Sequence, residues 1–488
     1  MNTENDVLGL IPSPRFAKIN AGFYDVPYSG TQIEKKLVES AAMPFSQIEK
    51  SIIEKSSKSS ISAESYIMDI LPDSVVVYAA GEAGFFYAEQ TLRQLRTNYP
   101  EKLPCMHIED VPAYEWRGFM LDCVRHFYPV EFILKIIDSL AMHKLNRFHW
   151  HLTDDQGWRL EVPEYPLLTE VGAWRNDHRK YRWHREGGFY TADDVKKVVE
   201  YAAERFITVV PEIETPGHAS AILASYPELG CTGGPYNVED RWGIFDDVLC
   251  AGNDKIFEVY GKVFDRVCEL FPGKYVHIGG DECPRKNWKK CPKCQQRMKD
   301  EGLHSEDELQ SWLTVRFSKM LEERGKIPLG WDEVLDGTER LGLPKSMMVQ
   351  SWRGTKGGIK AASSGHNVVM SPNTNGCYLD YKQYDSPLEP GMYKIITTKK
   401  SYNFSPVPKG MPEDAAERVL GGQGNLWTET IYAARIAEYM TFPRLCAIAE
   451  ALWLPAKEKN FASFKTRLET HKKRLDAMDI LYYKGPLE

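Results

Sequence analysis

From Trp116 onward, short apolar runs of β-strand character alternate with helical patterns, and no other feature of the chain limits its fold so tightly. Eight runs stand out, at residues 118–123, 147–152, 207–212, 275–279, 327–331, 347–351, 367–370 and 419–424. Apolar spacing of helical period separates many of them, at 130–143, 193–205, 256–270, 306–324 and 434–453. Short buried strands alternating with helices imply a parallel sheet. Eight such units fit a closed (β/α)8 barrel of the TIM type better than a doubly wound sheet.

Ahead of the barrel the pattern changes. A Pro- and Gly-punctuated start leads into a charged, Ser-rich segment at 47–62. Residues 64–70 and 74–80 read as two strands joined by the turn Leu71-Pro-Asp, and 88–96 has helical spacing. A small α+β domain is expected over residues 1–112, with the boundary near Pro104 to Pro112, and the barrel domain over 113–488.

Composition narrows function by exclusion. The 61 basic and 68 acidic residues give a net charge of −7 with no long run of either sign, which argues against nucleic acid or an anionic membrane as the main partner. No stretch approaches the roughly 18 consecutive apolar residues that span a bilayer. Twelve Trp and 25 Tyr are many for this length, and most of them are expected in packing. Residues 1–18 show no signal-peptide pattern, so the expectation is cytoplasmic if Met1 is the native start, and periplasmic or secreted if a leader has been removed.

Barrel enzymes carry their chemistry at the C-terminal ends of the strands, and acids, imidazoles and indoles recur there. Strand one ends in Asp122 with Arg125 and His126. Strand two ends in His149-Trp-His-Leu-Thr-Asp-Asp155, and strand three in Glu212 and Glu214 with His218. Strand four ends in Gly279-Gly-Asp281-Glu282, strand five in Trp331-Asp-Glu333, strand six in Trp352-Arg353, and strand eight in Trp427 with Glu429. An isolated Asp-Glu pair is usually solvated surface. Here Asp281 and Glu282 follow a buried strand and two glycines that permit close approach, so they are the candidate catalytic pair. Asp332, Glu333 and Glu214 are expected to be supporting hydrogen-bond partners.

Several segments together resemble the family 20 glycoside hydrolases, the β-N-acetylhexosaminidases. They are Trp116-Arg-Gly-Phe-Met-Leu-Asp-Cys-Val-Arg-His-Phe, Asn146-Arg-Phe-His-Trp-His-Leu-Thr-Asp-Asp, Pro211-Glu-Ile-Glu-Thr-Pro-Gly-His and His277-Ile-Gly-Gly-Asp-Glu. Gly330-Trp-Asp-Glu, Gln350-Ser-Trp-Arg, Tyr378-Leu-Asp and Asn425-Leu-Trp-Thr-Glu follow in the same order. The resemblance implies exo-acting removal of terminal β-linked GlcNAc or GalNAc, with the substrate's 2-acetamido oxygen as nucleophile and an oxazolinium intermediate. On that reading Glu282 is the general acid and base, Asp281 holds the acetamido N–H, and Tyr378 donates to the acetamido oxygen. Arg125 would contact the 3- and 4-hydroxyls, Glu429 the 4- and 6-hydroxyls, and Asp380 the 6-hydroxyl. Trp331, Trp352 and Trp427 would wall the sugar pocket, with Asp154 and His218 in support. No cofactor is implied, and the partner is a glycan.

Two departures and two alternatives remain. Many members carry a further Trp that stacks on the next sugar, whereas residues 385–412 offer only Tyr393 and Tyr402. Asp380 argues against 6-sulfated sugars by charge. A disaccharide-releasing enzyme of the same family would need a wider pocket, and a silent sugar-binding barrel would lack the acid or its partner. Finally, Cys283, Cys291 and Cys294 form a C-x7-C-x2-C cluster that resembles part of a structural zinc site, with His304 nearby and no evident fourth ligand. Free thiols, or one disulfide in an exported protein, are the expected reading.

Overall fold

The computed structural model describes residues 4–27, 31–39, 43–48, 61–176 and 185–488. Residues 49–60 of the charged, Ser-rich segment lie outside them. A five-stranded sheet comes first, built from β1 (Phe16–Asp25), β2 (Ile33–Leu37), β3 (Tyr66–Ile70), β4 (Val75–Ala79) and β5 (Lys102–Asp110), in the order β1-β5-β3-β4-β2. The expected hairpin is β3 against β4, antiparallel from Tyr66↔Ala79 to Ile70↔Val75. The helix Glu82–Asn98 lays Phe85, Leu92 and Leu95 on the sheet, a longer element than the 88–96 expected. Strand β5 runs straight through Pro104, where the sequence placed the start of the boundary. Proline is tolerated there because β3 pairs only with Met106 to Asp110, and the β1 ladder shifts register between Ile19 and Phe23.

The small sheet is anchored on the barrel by buried ion pairs. Arg117 meets Glu64 at 2.8 Å, and Lys144 meets Asp110 at 2.8 Å. The Trp453 indole N–H donates to Asp110 at 2.7 Å, and Trp453 belongs to the apolar core of the sheet.

Eight parallel strands close the barrel: β6 (Trp116–Asp122), β7 (Arg147–His151), β8 (Thr208–Thr215), β9 (Tyr275–Gly279), β10 (Ile327–Trp331), β11 (Met348–Ser351), β12 (Val368–Met370) and β13 (Val419–Leu426). Each coincides with a run expected from the sequence to within a few residues. Closure is the β13–β6 ladder, in register from Gly421↔Trp116 to Leu426↔Leu121. Alternate residues point inward, so the lumen is layered. Trp116, Val210, Leu329, Met348 and Val369 form an apolar plug. One step higher, His149, Glu212, His277 and Trp331 make a polar layer, and the open end lies above them.

One helix differs from expectation. The pattern at 434–453 is two helices, Ala434–Thr441 and Arg444–Trp453, parted at Phe442-Pro443. Pro443 has no N–H to donate and its ring clashes with the preceding turn, so it ends the first helix.

Candidate active site

The open end is organised from below by Glu212. His151 Nδ1 donates a short hydrogen bond to its carboxylate, and the Trp331 indole donates another at 2.7 Å. His149 Nε2 and His277 Nδ1 lie 3.0 and 2.9 Å from the same group. Burial alone would raise the pKa of Glu212, but the three imidazoles hold it well below the usual carboxylate range. Burial likewise works against charge on His151, yet Glu212 and Asp154 push its pKa up to about 10. His149, for which burial dominates, falls to about 4. The cage thus holds a carboxylate with a cationic His151 and a neutral His149.

Above the cage, side chains from several strands converge. Arg125 follows β6 and is held by Asp122 at 3.1 Å, by Gln156 at 3.0 Å and by Asp154 at 2.8 Å, with its guanidinium 4.9 Å from the Trp427 ring centre. Gln156, which sequence reasoning missed, fixes the orientation of that guanidinium. Asp154 also meets His151 at 3.1 Å and His218 at 3.2 Å. His218 spans the gap: Nδ1 lies 2.9 Å from Asp155, and Nε2 lies 3.7 Å from both Asp281 and Glu282. Against the cost of burial, Asp154 and Asp281 raise the His218 pKa well above its ordinary value, so it faces the acidic pair as a cation.

The acidic pair sits on a turn that the sequence makes possible with Gly279 at φ 66° and Gly280 at φ 98°. A methyl at Gly279 would overlap the Glu214 carboxylate, so the close approach read from these glycines is that of a neighbouring side chain. Glu282 and His218 are themselves non-glycine residues at φ 45°. Such left-handed backbone costs about 1–3 kcal/mol each and gathers at functional sites. Burial and the adjacent Asp281 raise the pKa of Glu282, against His218 and Arg125. Glu282 therefore keeps its proton to higher pH than a solvated glutamate, as a general acid must.

The far wall holds Tyr378, Trp352, Asp380, Trp427 and Glu429. Tyr378 pairs through its backbone with Asn425 of β13, and its ring stacks 6.3 Å from Trp352 at 21°. Burial raises the Tyr378 pKa well above its ordinary value, opposed by the nearby Trp427 indole. The Trp352 indole donates to Glu333 at 2.8 Å, and burial, Asp281 and Asp332 push Glu333 up to about 9. Asp332 accepts from Arg353 at 2.9 Å, so Asp332 and Glu333 have the supporting contacts expected of them. Burial and Glu429 raise Asp380 well above the usual range, and burial raises Glu429 as well. Buried oxygens on Asp281, Asp380, Glu429 and Glu214 have no protein partner.

Trp331, expected in the pocket wall, is 1% exposed and packs among His149, His277 and Trp427. Two expectations are corrected. Glu214, expected to hydrogen-bond a neighbour, has both carboxylate oxygens unpaired, and burial with Asp281 raises its pKa well above the normal range. Cys283 parts from Cys291 and Cys294 because its backbone turns under Gly217, while Cys231 and Cys250 join the other two. Of the two tyrosines at 385–412, Tyr402 is buried at 1% and Tyr393 is 75% exposed, 6.0 Å from the ring of Tyr381. Imidazole–carboxylate groups at Glu212 and Asp154 have spacings a metal could use. There each imidazole already faces a carboxylate, and Arg125 supplies a cation at Asp154.

This arrangement recurs in known proteins. Residues 114–456 match the description "Glycosyl hydrolase family 20, catalytic domain" and residues 29–111 match its "domain 2". The chain is 45% identical over 432 residues to a beta-hexosaminidase of Porphyromonas gingivalis, covering 86% of this chain and 54% of that one. It thus spans about half the length of that relative. Identity to a beta-hexosaminidase of Akkermansia muciniphila is 34%, with 84% of each chain covered. The crystal structure of a Vibrio harveyi exo beta-N-acetylglucosaminidase in complex with N-acetylglucosamine superposes with a TM-score of 0.85 at 32% identity, covering 99% of this chain and 79% of that one. The chain belongs to glycosyl hydrolase family 20.

Proposed function

We propose that residues 113–488 form the catalytic domain of an exo-acting, retaining β-N-acetylhexosaminidase that releases single terminal β-linked GlcNAc or GalNAc, with residues 1–112 as a supporting domain. One observation carries the mechanism. The acidic residue Asp281, beside Glu282 and 3.7 Å from His218 Nε2, keeps a buried Oδ1 with no protein partner. An unmet acceptor there suits the N–H of an amide, and the Tyr378 hydroxyl is the donor proposed for its C=O.

On this reading the amide is the sugar's own acetamido group. Its oxygen, oriented by Tyr378, attacks the anomeric carbon as Glu282 protonates the leaving oxygen. Asp281 stabilises the positive charge that develops on the amide nitrogen. Glu282 then takes a proton from the water that opens the oxazolinium, and configuration is retained. Tethering the nucleophile to the reacting centre supplies much of the gain. Arg125, Glu429 and Asp380 hold the sugar hydroxyls, and Trp352 and Trp427 enclose the ring. The substrate class is supported by the two relatives named beta-hexosaminidase and by the Vibrio harveyi exo beta-N-acetylglucosaminidase in complex with N-acetylglucosamine.

The test is chromophore release from an aryl N-acetyl-β-glucosaminide beside the matching β-glucoside, in wild type and Glu282→Gln. Turnover of the first only, lost in the variant, is expected. Equal turnover of both sugars, or none by the wild type, contradicts the proposal.

A further inference from the structure

Four of the ten cysteines, far apart in sequence, meet outside the catalytic site. Cys231 and Cys250 lie in the long loop after β8, and Cys291 and Cys294 follow the acidic pair after β9. The Sγ atoms of Cys231 and Cys294 are 3.8 Å apart, and Cys250 is 3.7 Å from both Cys291 and Cys294. All four sulfurs lie within 4.8 Å of one another, and none is in a disulfide. Four thiolates bound to zinc at about 2.3 Å occupy the corners of a tetrahedron whose edges are about 3.8 Å. A disulfide would need about 2.05 Å. The observed separations are those of the tetrahedron.

The backbone builds this geometry. The antiparallel bridge between Gly230 and Leu249 joins the two segments with Cys231 and Cys250 on either side of it, and the Cys250 N–H donates to Leu229 O at 2.8 Å. Cys291 caps the helix Pro292–Asp300, with Pro292 in its first turn, and the C-x2-C spacing turns Cys294 back toward the same point. A side chain at Gly252 would run into the backbone of Lys293 and Cys294, so the two loops pack main chain on main chain. Trp288 closes the cluster from the side, donating to Leu249 O at 2.9 Å.

We propose that Cys231, Cys250, Cys291 and Cys294 bind one zinc ion as a structural site that staples the loop carrying His218 to the loop carrying Asp281 and Glu282. Binding releases the thiol protons to solvent and leaves a tetrathiolate centre with no open position for catalysis. The connection to the active site is short. The Leu249 N–H donates to Pro216 O at 3.0 Å, one residue before Cys250 and two before His218. Gly217 rests on the main chain of Asp281 and Cys283. Of the C-x7-C-x2-C residues, Cys291 and Cys294 belong to this cluster and Cys283 does not.

The measurement is metal content of the full chain purified under reducing conditions from zinc-replete cells. One zinc per chain is expected in wild type and in Cys283→Ser, with loss of the metal in Cys294→Ser and in Cys231→Ser. Should those variants fail to fold, wild type produced with cobalt gives a second reading. It should show tetrahedral d–d bands and thiolate-to-cobalt charge transfer. Chelation of the zinc is expected to lower the melting temperature. Wild type with no stoichiometric zinc, iron in its place, or disulfides among these four cysteines by peptide mass spectrometry would overturn the assignment. None of these readouts depends on glycosidase activity.

Discussion

Glu212 and Glu214 stand two residues apart on β8, both buried in the barrel, and they live in opposite surroundings. Glu212 is ringed by three imidazoles and an indole, and its charge is held firmly. Glu214 has no partner for either oxygen and keeps its proton. The same contrast separates two layers of the molecule. In the lower layer the Glu212 carboxylate is met within the protein, and only the Nε2 atoms of His149 and His277 lack a hydrogen-bond partner in the cage. The upper layer concentrates unpaired carboxylate oxygens on Asp281, Asp380 and Glu429, each of which costs about 1–3 kcal/mol if left unmet. The comparison teaches that charge pairing builds the scaffold, while carboxylate oxygens without protein partners gather at the proposed sugar site.

The sharpest way to break this comparison is to alter one residue in each layer. Glu282→Gln should lower kcat on unactivated glycosides by roughly 10²–10⁴ and leave thermal unfolding unchanged. A loss of stability without loss of rate would place Glu282 in the scaffold instead. Glu212→Gln should do the reverse. Leaving the His151 cation without its partner is expected to cost about 3–5 kcal/mol, read as an earlier midpoint in denaturant, and an unmoved midpoint would contradict the cage. Tyr378→Phe keeps the ring stacked on Trp352 and removes only the hydroxyl. A fall of roughly 10²–10³ in kcat is expected for N-acetyl substrates, with melting unaltered.

The sign of the pH dependence follows the shift of each group rather than its layer. The folded pKa of Glu212 lies below its unfolded value, so its contribution is present above the ordinary carboxylate range and is lost on acidification. That of His151 is raised, so its share is full below pH 6.5 and disappears as pH climbs toward about 10. Glu333 behaves oppositely to Glu212. The fold retains a proton that the unfolded chain releases, so stability declines between pH 4.5 and about 9. Glu333→Gln should flatten that decline in melting temperature across the window, and an unchanged slope would remove Glu333 from the account. The smallest effect is expected at the rim. Tyr393→Ala should raise KM for oligosaccharides about threefold to tenfold, the worth of one ring contact, while KM for aryl monosaccharides stays constant.

Much of this was legible in the residues, for reasons that also explain the gaps. The eight barrel strands are short, buried and separated by helices, so each announced itself locally, and their C-terminal ends carried the acids. The cage around Glu212 was not legible. His149, His151, His277 and Trp331 come from three strands and meet only once the barrel closes. Strand β1 has a largely exposed pattern and β5 contains Pro104, so neither shows the signature of a strand. The apolar spacing of 434–453 continues across Pro443, so periodicity alone does not show the break that the proline makes. Cys231 and Cys250 join Cys291 and Cys294 across 41 to 63 residues of chain, beyond any local spacing rule.

The most direct test of the central claim, that the substrate's own acetamido oxygen is the nucleophile, is a series of aryl β-glucosaminides with N-acetyl, N-fluoroacetyl, N-difluoroacetyl and N-trifluoroacetyl groups. Fluorine drains the carbonyl oxygen of electron density and leaves the leaving group unchanged. The account predicts that kcat/KM falls steeply with each fluorine in the wild type. A flat series would contradict it and return the nucleophile to a carboxylate of the protein.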